Sequence, residues 1–303
     1  MSYIQSLLIA VLVSVSSWSA ASSTLNVFAC EAEWAALAHR IGGDKLTIYA
    51  ATTAKQDAHH IQARPSLIAK ARRADLLVCS GADLEVGWLP LLIKKSSNNK
   101  IKPNAIGHFM ATEQVELLGK LDKVDRSMGD VHAMGNPHVH LEPKRLARIG
   151  SKLASRLGQI DPSNNALYAN NARQFSAELS RAERKWQPLK QQLAGKRLVV
   201  HHDNWVYLTD WLGIKVVAHL EPKPGVPPST KHLSSLTAKL AKTPANAIIY
   251  GSYQDPKAAR WLAKKSQLPS IEIPFSVSNW KQPTALIHWM DDVLKRLARA
   301  TKG

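Results

Sequence analysis

The sequence predicts an α/β protein of two lobes, each a mainly parallel sheet flanked by helices, joined by one long backbone helix. Three observations carry this. Short apolar runs alternate with longer amphipathic ones through most of the chain, the pattern of parallel sheets with helices on both faces. That rhythm breaks once, at 161–195, where a single apolar stripe runs unbroken at helical spacing. Of the 303 residues, 45% are hydrophobic and 21% charged, the balance of a packed globular chain. With 15 Gly, 16 Pro and 2 Cys, collagen-like and disulfide-scaffold classes are excluded.

Residues 1–21 stand apart. They carry no charged side chain, Leu7 to Val15 is almost wholly apolar, and Ser19 and Ala21 satisfy the small-x-small rule for cleavage after Ala21. The run is shorter than the roughly 20 apolar residues that span a bilayer. A signal peptide lacking the usual basic n-region, and export to the periplasm, are therefore expected.

The N-terminal lobe is assigned to 22–158, with strands at 25–30, 46–52, 75–80 and 105–110 and helices at 31–41, 65–73, 83–95 and 143–157. The linking helix is assigned to 159–195. Asp161 and Pro162 supply an N-cap and a first helical residue. Tyr168, Ala172, Phe175, Leu179, Ala182, Trp186, Leu189 and Leu193 form its stripe, and Gly195 closes it. Such a helix is about 50 Å long, with a bend expected at Pro188. The stripe would also fit a coiled-coil dimer, but packing within the chain suits a single segment better, so a monomer is expected. The C-terminal lobe is assigned to 196–303, with strands at 197–201, 215–220, 247–251 and 270–274 and helices at 231–241, 256–265 and 282–299. No internal repeat or low-complexity tract is present.

Cys30 and Cys79 each end an apolar run, which places them at the same end of neighbouring strands. In an oxidising compartment a disulfide between them would stabilise the fold by roughly 2–4 kcal/mol. Two buried thiols are the alternative, and a lipid-anchored Cys30 a third, although Val-Phe-Ala before it makes a poor lipobox. The disulfide is the preferred reading. The formal net charge is +17, which invites a polyanionic partner. Yet no run of five Lys/Arg occurs, and the densest stretch, Lys94 to Lys102, is set among serines and asparagines. Nucleic acid is not expected as a partner.

Twelve histidines include three clusters: Asp57-Ala58-His59-His60, Asn136-Pro137-His138-Val139-His140 and His201-His202-Asp203. Each follows a predicted strand or lies in a loop. Neutral imidazole suits Zn²⁺ and similar first-row metals, and loops at strand ends can each supply one donor. With these residues the chain resembles the cluster A-I family, the metal-binding substrate-binding proteins of zinc and manganese ABC importers. Segment 57–78 is similar to that family's Asp-Pro-His, Pro-Ser, Ala-Asp-Leu stretch, with Ala58 for Pro. NPHVHLEP at 136–143 resembles its Asp-Pro-His-x-Trp-x-Asp-Pro, and VVHHDNWVYL at 199–208 its strand-end His followed five residues later by Tyr.

The resemblance implies a two-lobed fold with the metal in the cleft, and the ligands His59, His138 and His202, the last fixed by its spacing to Tyr207. His60, His140 and His201 are then neighbours, read as loop surface in preference to supporting groups or alternative ligands. The family's late carboxylate ligand is missing from IPFSVSNWK, 273–281. Water or a carboxylate from elsewhere, Glu221 or Asp255, would complete the set. Lacking that oxygen donor, the site favours Zn²⁺ over Mn²⁺. The zinc members' His-rich loop is absent too: 111–135 holds one histidine, His132, and scattered acids.

The resemblance further implies delivery of the metal to a membrane permease. Rival functions are a stand-alone periplasmic metallochaperone and a metal-dependent hydrolase. Against the latter, no HExxH, GxSxG, P-loop or GxGxxG motif occurs, so no catalytic residue is assigned.

Overall fold

A computed structural model describes residues 24–123 and 128–302; the expected signal peptide, 1–21, lies outside them. Among the described residues, eight strands form two sheets. The first comprises β1 (Leu25–Ala29), β2 (Leu46–Ala50), β3 (Leu76–Cys79) and β4 (His108–Met110), in the order β2-β1-β3-β4. The second comprises β5 (Arg197–Val200), β6 (Lys215–His219), β7 (Ala247–Gly251) and β8 (Ser270–Ile273), in the order β6-β5-β7-β8. Every pairing is parallel. β3 and β7 are buried along their whole length, which is why they read as continuous apolar runs rather than alternating ones.

Between and around the strands lie α1 (Ala32–Gly42), α2 (Pro65–Arg72), α3 (Leu89–Ser96), α4 (Pro143–Ile160), α5 (Asn165–Leu193), α6 (Val206–Leu212), α7 (Thr230–Lys242), α8 (Lys257–Ser266) and α9 (Ala285–Ala300). None of the described helices is long and apolar enough to cross a membrane.

The long helix is α5, whose 29 residues span about 44 Å. Seven of its eight predicted stripe residues are buried, and Leu189 is partly so. One hydrophobic core runs from Val27, Trp34 and Leu37 through Phe175 and Leu179 to Leu198, Ile249 and Leu294. The two sheets thus share a core through α5, and each keeps a separate cluster on its far face.

Three local departures from the sequence reading have physical causes. Residues expected to begin a helix at 83 instead form a tight turn, with Gly81, Ala82 and Asp83 at φ +82°, +49° and +66°. The Glu85 carboxylate accepts the Ser80 and Gly81 N–H groups at 2.8 and 3.1 Å, winding the chain back, and α3 starts only at Leu89-Pro90. At the start of the linking helix, Pro162–Asn164 form a 3₁₀ turn. There the Asp161 carboxylate accepts from Ser163 Oγ, Asn164 Nδ2 and Tyr168 Oη. Helix α6, seven residues long, is too short to show a period and went unpredicted. Cys30 and Cys79 are disulfide-bonded across β1 and β3 and fully buried. A Cys30 sulfur so engaged is not available to carry a lipid.

Candidate metal centre

The site lies where loops leave the carboxyl ends of both sheets, the usual ligand position in α/β folds. His59 sits in a 3₁₀ turn, Ala58–His60, after β2. His132 and His138 come from the long connection between β4 and α4, and His202 follows β5. The His59 ring centroid is 5.4 Å from that of His132, 6.2 Å from His138 and 5.7 Å from His202. His138 stands 6.4 Å from His132 and 6.5 Å from His202. The three sequence-predicted histidines are therefore brought together, and a fourth joins them.

Hydrogen bonds fix which nitrogen each ring presents. His59 Nδ1 meets Asp57 Oδ1 at 2.7 Å, His132 Nδ1 the Ala82 carbonyl at 2.8 Å, His138 Nδ1 Asn136 Oδ1 at 2.9 Å, and His202 Nδ1 Glu221 Oε2 at 2.7 Å. All four partners are acceptors, so every Nδ1 carries the proton and donates. Each Nε2 is left as the free donor atom to a cation, the arrangement that orients metal-binding imidazoles. His59 Nε2 and His132 Nε2 stand 3.3 Å apart. Two lone pairs meet at that distance only if a proton or a cation lies between them. The edge of a tetrahedron with Zn–N bonds of about 2.0–2.1 Å is about 3.3–3.4 Å.

The electrostatics agree. Burial lowers the His59 imidazole, but the hydrogen bond and charge of Asp57, with Asp130 and Glu85 behind it, outweigh burial and hold it above its ordinary value. Burial, then the charge of His59, drives His132 down to about 4. Burial and the neighbouring rings hold His138 well below its usual range. His59 keeps a proton while His132 and His138 give theirs up, so a divalent cation displaces little acid from these three.

The loops are locked to one another. The Tyr207 hydroxyl donates to the Asn136 carbonyl at 2.7 Å and accepts from Leu118 N–H at 3.1 Å. Asn136 Nδ2 donates to the Asp203 carbonyl at 2.7 Å, tying the His138 loop to the His202 loop. Asp130 N–H donates to the Pro224 carbonyl at 2.9 Å, which braces the loop that carries His132.

Glu221 Oε2 holds the His202 ring and also accepts Gly225 N–H at 2.9 Å, while Oε1 lies toward His201. Asp255 caps Lys257 N–H at 2.9 Å on the surface. His60 is exposed, with Asp130 Oδ2 3.7 Å away. His140 is buried between Trp34, Phe275 and Trp289, and His201 is buried with Nε2 3.7 Å from Glu221. Phe275, from the 273–281 segment that lacks the family's late carboxylate, packs edge-on against His138 at 5.2 Å.

The sequence reading missed His132, because a lone histidine in a loop without a repeating motif carries no spacing signal. Among the described residues, ligand atoms of three acidic, thiol or imidazole groups fall within 4.8 Å of one another only at Cys30, Cys79 and Glu85. The disulfide removes that trio as a metal site. The four imidazoles are thus spread more widely than a closed coordination shell.

The family described as ZnuA, zinc-uptake complex component A, periplasmic, matches residues 27–300. The chain belongs to that family. Among curated relatives, the metal ABC transporter substrate-binding lipoprotein ScbA of Streptococcus cristatus is 23% identical, over 84% of this chain and 80% of that one. The manganese ABC transporter substrate-binding lipoprotein PsaA of Streptococcus pneumoniae is 23% identical, over 86% and 83%. The iron ABC transporter substrate-binding lipoprotein MtsA of Streptococcus pyogenes serotype M1 is 23% identical, over 92% and 91%. Among solved structures, the substrate-binding protein FpvC of Pseudomonas aeruginosa in complex with Mn²⁺ superposes with a TM-score of 0.76 at 20% identity, over 92% of this chain and 99% of that one. A zinc-bound ZnuA deletion mutant gives 0.75 at 19%, over 93% and 99%. These likenesses establish the fold; the metals named belong to those proteins.

Proposed function

We propose that the exported chain captures Zn²⁺ between its lobes, with His59, His132, His138 and His202 as ligands, and passes it to the membrane permease of an ABC importer. The observation that carries the reading is the set of four imidazoles whose Nδ1 atoms are all spent on acceptors, leaving four Nε2 donors around one space. A nitrogen-only set suits zinc better than manganese, which prefers oxygen. His132 takes the place for which the sequence offered only water or a carboxylate. Membership of a zinc-uptake family, and relatives that are substrate-binding lipoproteins of metal ABC transporters, support transport as the use of the bound ion. They also support a location outside the cytoplasm, as does the expected signal peptide at 1–21. The chain acts as a monomer and catalyses no reaction. With one core through α5, the lobes can tilt only slightly, so release proceeds through the loops at the cleft.

The test is a chelator-competition titration of the metal-free protein with Zn²⁺ and Mn²⁺. One-to-one zinc binding is expected, tighter than manganese by at least about a hundredfold. It should be abolished in His59→Ala and His202→Ala and weakened about 10–100-fold in His132→Ala. Unchanged zinc binding in all three variants would overturn the site.

A further inference from the structure

Beside the four imidazoles lies a cavity of about 540 Å³, onto which His59 and His202 open. It is too large for the cargo alone. A divalent ion with six waters, at about 30 Å³ each, fills about 180 Å³. Cavities that hold small organic molecules measure about 300–1,000 Å³. Its position is also that of an organic-ligand site. In the order β6-β5-β7-β8 the strands that follow β5 lie on opposite sides of it, β6 on one and β7 on the other, and ligands of such parallel sheets bind outside the carboxyl ends at that switch point. His201 and His202 follow β5 there, and Tyr253, Gln254 and Asp255 follow β7.

The lining is of two kinds. Pro227, Pro228, Leu233, Ala258 and Trp261 form an apolar wall, from which a hydrated ion gains nothing. The same cavity is lined by charges of both signs, Glu221 together with Asp255 and Lys257, the last two paired at 3.4 Å. The buried His201 ring joins them, and its Nδ1 has no hydrogen-bond partner. Mixed charge beside an apolar wall matches a zwitterion with a small carbon skeleton.

We propose that this cavity holds a small zwitterionic amino-carboxylate, and that the metal is bound jointly with it as a chelate. The inference rests on the metal-capture reading above. The metal is held by imidazole Nε2 atoms on one side and by the amine or carboxylate of the chelator on the other. Zinc accepts such an added donor by expanding to five-coordinate. The apolar wall covers the chelator's carbon skeleton, Lys257 faces its carboxylate, and Asp255 and Glu221 face its amine.

The probe is L-histidine. Metal-free protein is mixed with Zn²⁺, with and without excess L-histidine, and examined by native mass spectrometry and by competition calorimetry. A one-to-one-to-one complex of protein, zinc and histidine is expected. Trp261→Ala, and Lys257→Ala at an exposed position that cannot disturb folding, should bind zinc as wild type does when histidine is absent. Both should lose the ternary complex and retain zinc about tenfold less well against excess histidine. No ternary complex, or one formed equally by all three proteins, would overturn the proposal while leaving zinc capture intact. Absence of zinc binding by wild type without histidine would overturn the capture reading itself, and this proposal with it.

Discussion

At the scale of single residues, the site is a problem in proton placement. His59 is held above its ordinary pKa while His132 sits at about 4 and His138 well below its usual range. In the metal-free protein the 3.3 Å contact between the two Nε2 atoms is then a hydrogen bond from a protonated His59 to a neutral His132. Zinc replaces that proton. A raised pKa means the proton is held to higher pH, so affinity is full above it and falls as pH drops through it, by about tenfold per unit for one displaced proton. Zinc Kd measured between pH 5 and 8 should show this inflection, and Asp57→Asn, which removes the group holding the proton, should move it to lower pH. An unmoved inflection would place the competing proton on another residue.

At the scale of elements, the decisive packing is where α1, α4 and α5 meet. Gly150 on α4 allows this approach: a Cβ there would stand 3.3 Å from Phe175 Cδ1 and 3.4 Å from Leu37 Cδ1. Phe175, 1% exposed, is one of the fully buried side chains of the shared core. Its aromatic ring is closely surrounded and the helices around it cannot collapse into the space it would leave. Phe175→Ala should lower the unfolding free energy by about 3–5 kcal/mol. Zinc Kd in the folded fraction should stay within about twofold, because no site loop rests on this residue. Urea denaturation and competition titration measure the two effects, and a large loss of affinity at unchanged stability would show that α5 positions the site directly.

At the scale of the whole molecule, charge is distributed against expectation. The net +17 is a property of the surface, while Glu31, Glu33 and Glu85 are buried beneath the cleft. Burial pushes Glu85 up to about 7, and Glu31, buried beside it, well above its ordinary value. A carboxyl raised in the folded state binds its proton more tightly there than when unfolded. Its contribution to stability is therefore present below about 4.5 and is lost as pH rises through about 7. At pH 8 the metal-free protein carries the cost of an ionised, buried Glu85. Glu85→Gln keeps an acceptor for the Ser80 N–H and should raise the melting temperature at pH 8 while leaving it nearly unchanged at pH 4. Equal effects at both pH values would contradict this linkage.

Most of the framework was legible in the chain because burial on both faces writes itself as local pattern. The eight apolar runs became the eight strands, and the stripe from Tyr168 to Leu193 became α5, since a 3.6-residue period survives whatever it packs against. His59, His138 and His202 were singled out by the resemblance of 57–78, 136–143 and 199–208 to the family's motifs, the last also by its spacing to Tyr207. The turn at 81–83 was not legible, because it is made by Glu85 reaching back to two N–H groups. Nor was the ligand role now proposed for His132, which sits 73 residues from His59 in the chain. Its Nδ1 is aimed by the carbonyl of Ala82 and its loop is braced on Pro224, contacts with no counterpart in local sequence. The sequence by itself determined the two parallel sheets and the joining helix, and it singled out three of the four imidazoles that gather at the cleft. Only the tertiary structure decided which nitrogen each ring presents and what stands fourth among them, because hydrogen bonds between distant loops set both.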